Sequence, residues 1–424
     1  MAQAAASAPL PLNSYQKLVI FLLAITQFTV VLDFMIMSPM GDILMKSMDL
    51  STSQFGIAVS AYAFSAGISG LFTAGFADRF DRKKLLLFFY VGFTIGTFCC
   101  GLAPNYPLLV VARIITGLFG GVISAIAMAI VTDIFAMQQR GRVMGFLQMG
   151  FGASQVLGIP IGLYIATHWG WHQAFIWIAV MAAVIVVVIF IKLQPVADHL
   201  LVQQKHSALQ HLWRTFAKRK YRIGFLTTAL LSVGGFMMMP FGSAFAINNL
   251  KVTELQLPLL FMVTGVCALV VMPFIGSLSD RVDKFKIFTI ASLWMMAMAL
   301  IYTNLGPSPL LLVMFLNVMM MSGVMSRIAP ATALVTAIPG PDDRGAFMSI
   351  NSSLQQVAGG IAAAVGGLIV VQPTKYSPLQ NYNVLGFIMV AMGLANIYMV
   401  YRVKKIVSKA NVPKVEDVPV VEGI

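Results

Sequence analysis

The chain has 424 residues, of which 59% are apolar and only 10% are charged, and its mean hydropathy is +0.86. A soluble globular protein carries about 25% charged residues, so this composition excludes an ordinary water-exposed globule. The formal net charge of +13 does not indicate nucleic-acid binding, because the basic residues form short clusters between long apolar runs. The three cysteines lie within apolar runs and predict no disulfide framework, and residues 1–14 lack the basic region of a signal peptide.

Twelve apolar runs are long enough to cross a hydrocarbon core of about 30 Å, which takes roughly 20 helical residues. The sequence therefore predicts an all-α membrane protein with twelve transmembrane helices. In chain order, the predicted spans are 17–40, 54–76, 85–103, 107–132, 143–166, 172–193, 223–247, 257–278, 287–304, 309–336, 347–370 and 383–402.

The basic residues predict the orientation of these spans. All but five of the 28 lysines and arginines fall in the termini or in loops on the same side as the termini; the exceptions are Lys46, Lys251, Lys375, Arg113 and Arg327. Because cytoplasmic loops are enriched in Lys and Arg, both termini are predicted to be cytoplasmic, in the inner membrane of the cell.

The predicted domains follow from the spans and the longest loop. They are a cytoplasmic N-terminal tail (1–16), an N-terminal six-helix bundle (17–193), a basic cytoplasmic linker (194–222), a C-terminal six-helix bundle (223–403) and a cytoplasmic tail (404–424). The second half of the linker, HLWRTFAKRKYR, has two interpretations: an amphipathic segment on the inner membrane surface, or a solvated connection.

The two bundles repeat one design at a separation of about 202 residues. The pairs that show it are Asp78-Arg79 with Asp280-Arg281, Arg140-Gly141 with Arg344-Gly345, Gly158 with Gly360, and Pro39 with Pro240. Such internal repeats are typical of transporters whose halves rock around a central site. The sequence predicts two pseudo-symmetric six-helix bundles with a binding site between them.

Ionisable side chains inside a bilayer cost about 3 kcal/mol each and indicate function. Asp33 lies nine residues before Asp42 at the end of span 1, and Arg113 lies eight residues after Asn105 at the start of span 4. At 1.5 Å per residue both are roughly 12–13 Å deep, so they are expected to meet. The pair is either a proton-coupling site or a static ion pair that fixes helix packing.

Arg327 lies about 27 Å along span 10 from Pro309, with no intramembrane acid in its own half. It is expected either to contact an anionic or polar substrate group or to bond to backbone carbonyls near Pro330. With Asn317, Met37 and Gln148 it completes the predicted substrate cavity. The methionine runs 237–239 and 319–321 are consistent with a deformable binding surface, or with the general tolerance of membrane helices for Met.

Four stretches carry a family resemblance. Gly70 to Lys84, GLFTAGFADRFDRKK, resembles the loop 2–3 signature of the major facilitator superfamily, with Ala74 and Asp81 where that signature usually has glycine. Three further stretches resemble motifs of its twelve-helix drug:proton antiporters: Leu32-Asp33 to Pro39, Arg113 to Gly117, and Gly158-Ile-Pro160-Ile-Gly162. The third has the form found in arabinose and chloramphenicol efflux permeases, and span 5 of this chain lacks an adjacent Gly-Pro pair.

The resemblance implies a cavity lined by spans 1, 4, 7 and 10 and a set of gating residues. It implies that Asp78, with Arg79, Arg82 and Arg140, latches the bundles in the outward-facing state, and that Asp280 and Arg281 repeat the device. The alternative is that these charges only set topology. Gly158, Pro160 and Gly162 are expected to form a mobile bend or, alternatively, to serve close packing.

Enzymatic chemistry is not indicated, because the five histidines show no metal-ligand spacing and no Gly-Lys phosphate motif is present. The predicted function is secondary active transport without a cofactor: proton-coupled antiport that exports small amphipathic compounds. Alternatives are a uniporter or symporter of a polar or anionic metabolite or lysolipid and, more remotely, a membrane enzyme or receptor. The expected partners are a small-molecule substrate, protons and the lipid bilayer, with no nucleic acid, and the chain is expected to be monomeric.

Overall fold

A computed structural model describes residues 12–74, 76–197, 200, 208–340 and 343–410. Helices account for nearly all of this part of the chain, and twelve spans are long and apolar enough to cross a membrane, which confirms the predicted fold class. The helices are α1 (Ser14–Ile36), α2 (Gly41–Met48), α3 (Thr52–Ala74), α4 (Arg82–Gly101), α5 (Tyr106–Ile134), α6 (Met137–Ala153), α7 (Ile159–Trp169), α8 (Trp171–Lys192), α9 (Ala208–Ala217), α10 (Arg219–Phe236), α11 (Gly242–Asn248), α12 (Leu257–Arg281), α13 (Lys284–Thr303), α14 (Leu310–Thr336), α15 (Arg344–Ile369) and α16 (Tyr382–Ala410).

Spans 1, 5 and 7 are each interrupted, a feature that hydropathy did not predict. Span 1 consists of α1 and α2, and span 7 consists of α10 and α11, with Pro39 and Pro240 at the two breaks. Span 5 consists of α6 and α7, joined by a π-helical turn. Proline lacks the N–H that continues a helix, so the repeated prolines end α1 and α10 at equivalent places. The seventh span begins at Arg219, inside the predicted linker.

The repeated loop motif also supplies helix caps. The carboxylate of Asp81 accepts a hydrogen bond from the Lys83 backbone N–H at 2.8 Å at the start of α4. Asp283 accepts from the Lys286 N–H at 2.9 Å at the start of α13. An aspartate at this position satisfies backbone donors that the first helical turn leaves free. Asp81, where the family signature usually has glycine, is therefore an N-cap.

The two bundles pack along α3 and α15. Ser60 Oγ donates to the carbonyl oxygen of Gly360 at 2.7 Å. A Cβ added at Gly56 would lie 2.8 Å from the carbonyl oxygen of Ala363, and one added at Gly67 would lie 2.7 Å from a Val357 methyl. Small residues thus let the two helices approach closely.

We call the face where α1 begins and α16 ends the terminal face, and the opposite one the far face. In the described part of the chain, hydrogen bonds between the bundles cluster at the far face. They join Asn248 Nδ2 to Asp42 Oδ1 at 2.5 Å, Ser243 Oγ to the Ser38 carbonyl at 3.0 Å and Thr52 Oγ1 to the Val370 carbonyl at 2.6 Å. On the terminal face, a cleft of about 460 Å³ lies within the C-terminal bundle and is lined by Ala333, Thr336, Ala337, Arg344 and Met348. The bundles are therefore closed at the far face.

The linker helix α9 is held on the C-terminal bundle by Asp343. Its carboxylate accepts hydrogen bonds from Lys218 Nζ at 2.5 Å and the Tyr221 hydroxyl at 2.6 Å, and lies 3.2 Å from His211 Nε2. These donors, Lys218 foremost, hold the pKa of Asp343 well below its usual range. Trp213 stays 72% exposed, so α9 docks on the bundle while keeping an apolar residue free.

Asp343→Asn is expected to lower the free energy of unfolding by about 1–2 kcal/mol at pH 7. Because the folded pKa is depressed, this contribution is complete above the ordinary Asp pKa of about 3.9 and declines as the pH falls below it. Melting curves should show that the difference in melting temperature between wild type and variant is smaller at pH 3 than at pH 7. Asp49→Asn, whose side chain is 78% exposed, is the control with little effect. A gap that is equal at both pH values would contradict the assignment.

Candidate functional site

Asp33 of α1 and Arg113 of α5 form an ion pair inside the N-terminal bundle. Arg113 Nη1 donates to Asp33 Oδ2 at 2.9 Å, and both side chains are 0% exposed. The depths calculated from the sequence thus agree with the structure. The pair lies away from any lipid-facing surface and is sealed from water in this conformation.

Two neutral side chains contact the pair directly. Thr97 of α4 donates its hydroxyl to Asp33 Oδ1 at 3.1 Å. The guanidinium of Arg113 lies 4.6 Å from the ring centroid of Tyr62 on α3, close enough for a cation–π interaction. Arg113 Nε and Nη2 have no hydrogen-bond partner in the described part of the chain. Sequence reasoning missed Thr97 and Tyr62, because no charge or motif distinguishes them.

Glycines bring the helices of this site together. A Cβ added at Gly117, the last residue of the Arg113 motif, would collide with the Tyr62 carbonyl oxygen and Ser65 Oγ. One added at Gly96 would lie 2.7 Å from Thr116 Oγ1. Only a residue without a side chain permits these approaches. The glycine of the motif therefore lets α5 lie against α3, where Arg113 faces Tyr62.

A π-helical turn over Ser154–Gly158 separates α6 from α7. The N–H of Ile159 donates to the Ser154 carbonyl, five residues back, and Pro160 follows at the start of α7. Proline cannot donate to the carbonyl four residues before it, so the wider turn suits this position. The π-helical turn lies at the residues for which a mobile bend was predicted, and the mobility stays a prediction.

The two motif glycines of span 5 pack against α1 on either side of the predicted proton site. A Cβ added at Gly158 would lie 2.8 Å from Leu32 Cδ1, and one at Gly162 would lie 2.8 Å from Ile36 Cδ1. Asp33 follows Leu32 directly. The packing role predicted for these glycines is visible, and it places span 5 beside Asp33.

Aromatic rings of the two bundles meet at Phe34. The Phe34 ring centroid lies 5.9 Å from that of Phe236 in the other bundle and 5.1 Å from that of Tyr62. Gln148 is exposed and lies one helical turn before Gly152, whose added Cβ would approach Leu269 of the other bundle at 2.9 Å. Gln148 therefore shares the face of α6 that is turned towards the C-terminal bundle.

Two other predicted cavity residues contact neighbouring side chains in this conformation. Met37 is 0% exposed and packs in an apolar cluster towards the far face in this conformation, and its assignment to the cavity stays a prediction. Asn317 lies within the C-terminal bundle, where its Oδ1 accepts from Thr264 Oγ1 at 2.8 Å and its Nδ2 donates to the Tyr302 hydroxyl at 3.4 Å. Helix facing could not be derived from one sequence, and it decides both cases.

Arg327 on α14 is 3% exposed and makes no hydrogen bond or ion pair with any described residue. The alternative that it bonds to backbone carbonyls near Pro330 is therefore wrong. A Cβ added at Gly234 of α10 would lie 4.0 Å from Arg327 Nη2. The guanidinium thus extends from α14 towards α10.

The predicted gating arginines of the first repeat bond within their own bundle. Arg82 Nε lies 3.2 Å from Asp133 Oδ2. Arg140 donates to the carbonyl oxygens of Phe135 at 3.0 Å and Thr132 at 2.7 Å. Arg79 and Arg281 are exposed, and the side chains of Asp78 and Asp280 lie outside the described part of the structure. These contacts join the ends of α4, α5 and α6, and the latch of the other conformation remains a prediction.

Charged contacts at the far face were not predicted. Lys46 Nζ lies 2.6 Å from Asp42 Oδ2 in its own helix and 3.2 Å from Glu254 Oε1 of the other bundle. Lys375 pairs with Asp49 at 3.1 Å. In the sequence Asp42 served only to mark the end of span 1.

Comparison with known proteins gives one family. The Major Facilitator Superfamily model matches residues 23–363 and 224–421. An uncharacterized MFS-type transporter of Bacillus subtilis (strain 168), YbcL, is 25% identical over 354 residues, covering 83% of this chain and 88% of that one. Multidrug resistance protein 3 of the same organism is 36% identical over 99 residues, 23% of this chain and 19% of its own. The crystal structure of a bacterial homolog of the human lysosomal transporter Spinster, inward-facing and unoccupied, matches with a TM-score of 0.77 at 15% identity, covering 94% of this chain and 99% of that one.

Proposed function

The chain belongs to the major facilitator superfamily, and from this premise we propose that it is a proton-coupled antiporter that exports small amphipathic compounds. Membership makes it a multi-pass membrane transporter rather than an enzyme. The proposal adds the coupling ion, the direction of transport and the kind of substrate.

The buried Asp33–Arg113 pair is the observation that carries the proposal. Both groups are removed from water at a mid-membrane position, and removing charges from water costs several kcal/mol per ion. Such groups are commonly retained where a cavity wets them in part of a cycle. Protonation of Asp33 would remove the negative charge that Arg113 faces, so proton binding would change the stability of the contact between α1 and α5.

The proposed cycle uses the two faces in turn. With the far face open, Asp33 takes up a proton and substrate leaves; after the far face has closed and the terminal face has opened, the proton leaves towards the terminal face and substrate binds. One charge moved through about 100 mV is worth about 2.3 kcal/mol, enough for roughly fortyfold accumulation.

The proposed orientation places the terminal face in the cytoplasm and the chain in the inner membrane. The concentration of Lys and Arg on the terminal side supports it. With that orientation, the closed far face is the side turned away from the cytoplasm.

Amphipathic substrates suit the apolar surface that Phe34 and Phe236 offer between the bundles. The similarity to Multidrug resistance protein 3 over part of the chain also supports this substrate class. The second candidate, a uniporter or symporter of an anionic metabolite, is favoured by one observation, the unpartnered Arg327.

Transport in proteoliposomes tests the coupling. A panel of one cationic, one neutral and one anionic fluorescent amphipath is offered with and without an imposed pH gradient. At least one compound is expected to accumulate only with the gradient, and Asp33→Asn is expected to remove that dependence while exchange without a gradient persists.

Asp49→Asn is the matched control, because this far-face carboxylate is 78% exposed and should leave coupling intact. Gradient-driven accumulation that survives in Asp33→Asn would overturn the proton role. Flux that ignores the gradient in the wild type would favour the uniporter.

A further inference from the structure

The core of the C-terminal bundle consists of two apolar clusters separated by a polar layer. The cluster nearer the far face includes Met295, Met296, Met320 and Met389. The cluster nearer the terminal face includes Phe288, Ala331, Leu334 and Val400. Between them lie buried polar side chains of α13, α14 and α16, among them Ser292, Arg327 and Asn396.

Helix contacts place these three residues at one depth. A Cβ added at Gly323 of α14 would lie 2.9 Å from Met295 Cβ, and one added at Gly393 of α16 would lie 2.7 Å from Met296 Sδ. Arg327 and Asn396 each follow their glycine by one turn, and Ser292 precedes the two methionines by one turn on the antiparallel α13. All three backbones are therefore about 5 Å closer to the terminal face than the methionine contact.

The polar atoms of this layer have no partners within the described chain. These atoms are Ser292 Oγ, Arg327 Nε and both amide atoms of Asn396, and the three side chains are 0%, 3% and 1% exposed. An unsatisfied buried polar group costs about 1–3 kcal/mol, and more when it is charged. Such a concentration is unusual, because buried polar groups in native proteins are nearly always hydrogen-bonded.

The N-terminal bundle resolves the same situation with its own carboxylate. There the guanidinium of Arg113 faces Asp33 and Thr97. Pro39 and Pro240 are 201 residues apart, and the same separation makes Gly234 the equivalent of Asp33. Gly234 lies beside Arg327. The C-terminal bundle thus has a glycine at the repeat-equivalent position of the acid, and its base, Arg327, does not occupy the repeat-equivalent position of Arg113, which is Met314.

We infer that Arg327, Ser292 and Asn396 form an anion-binding subsite that takes the carboxylate of an amphipathic substrate or a small inorganic anion. All three side chains can donate hydrogen bonds, and Arg327 supplies a positive charge that a carboxylate can meet with two parallel bonds. A Cβ added at Gly234 would meet only Met389 Cγ at 3.9 Å and Arg327 Nη2 at 4.0 Å, so α10 leaves room for added atoms next to the guanidinium. The inference rests on the proposed transport function and narrows its substrate class to anionic amphipaths.

Thermal stabilisation of the purified protein in chloride-free buffer tests this subsite without any proton gradient. The probes are sodium benzoate, benzyl alcohol as the uncharged analogue, and sodium chloride. Benzoate is expected to raise the melting temperature saturably and benzyl alcohol to leave it unchanged. Arg327→Gln should weaken the benzoate response at least tenfold, and Asn396→Ala should weaken it in the same direction.

Gly234→Asp is the sharpest variant, because it places a carboxylate beside Arg327 where the N-terminal bundle has Asp33. It should raise the melting temperature without ligand and remove the benzoate response, which an unfolded or damaged protein would not do. Arg219→Gln, an exposed arginine at the start of α10, is the control that keeps the wild-type response.

Comparing benzoate with chloride distinguishes a substrate carboxylate from an inorganic anion as the ligand. Chloride that stabilises and competes with benzoate indicates a shared anion site; benzoate alone indicates a substrate carboxylate. No stabilisation by either anion, or a response unchanged in Arg327→Gln, would overturn the subsite. Because binding is measured at equilibrium, that failure is distinct from loss of proton coupling in the flux assay.

Discussion

Replacing Arg113 alone by glutamine is expected to lower the free energy of unfolding by about 3–5 kcal/mol. The substitution leaves the Asp33 carboxylate at 0% exposure with Thr97 as its remaining side-chain donor, and an uncompensated buried charge is strongly destabilising. The double variant Asp33→Asn/Arg113→Gln removes both charges together. It should recover most of the loss, since a neutral amide pair avoids the cost of burying ions. Melting temperatures of the purified proteins measure both effects.

The same variants separate the two interpretations of the pair. If the pair only fixes helix packing, the double variant should transport with its gradient dependence intact. If the pair couples protons, the double variant should be stable and have lost that dependence. Arg142→Gln, an exposed arginine on α6, controls for loss of a positive charge. A single Arg113→Gln variant as stable as the wild type would contradict the geometry of the pair.

Gly367→Ala is expected to hold the far face open. A Cβ at this position of α15 would lie 2.7 Å from the Thr52 carbonyl oxygen and 3.3 Å from Gly56 Cα, both in the other bundle. Overpacking of this kind costs about 1–3 kcal/mol in the closed conformation and nothing when the faces part. A cost of about 1.4 kcal/mol changes the equilibrium tenfold.

Cysteine labelling measures that shift. Leu44 of α2 is 0% exposed at the far face, so Leu44→Cys, in a background with the three native cysteines replaced by alanine, should react slowly with an impermeant maleimide. Adding Gly367→Ala should raise the rate about tenfold. Gly242→Ala is the matched control, because a Cβ there meets nothing within 4 Å. Equal rates in the two variants would show that the closed face tolerates the methyl group.

The number of spans, the repeat and the meeting of Asp33 with Arg113 could all be predicted from the sequence. Apolar length counts the spans, because each must match the thickness of a bilayer. Residue counts from the span ends give depth, because a helix rises a fixed distance per residue. Depth alone was sufficient to predict that Asp33 meets Arg113, because two opposite charges at the same depth in the membrane have few other partners.

The remaining parts of the site depend on which way each helix faces, and this information is spread over many neutral contacts. Met37 shares span 1 with Asp33 but packs in the core. Thr97 and Tyr62 carry no signal that separates them from other polar residues in spans. The contact between Asp42 and Asn248 joins two bundles whose relative position no local pattern encodes. The neighbours of Arg327 were missed for the same reason.

The π-helical turn before Pro160 sets the direction in which half of span 5 points. Five residues in one turn, where an α-helix would use about four, amount to one extra residue, and each residue of an α-helix turns it by about 100°. The stretch from Met137 to Ala153 is therefore rotated by about that angle relative to an uninterrupted helix continuing from α7. A change of one residue in the length of this turn would re-aim every side chain from Arg140 to Gln148 together, which no point substitution in α6 can do.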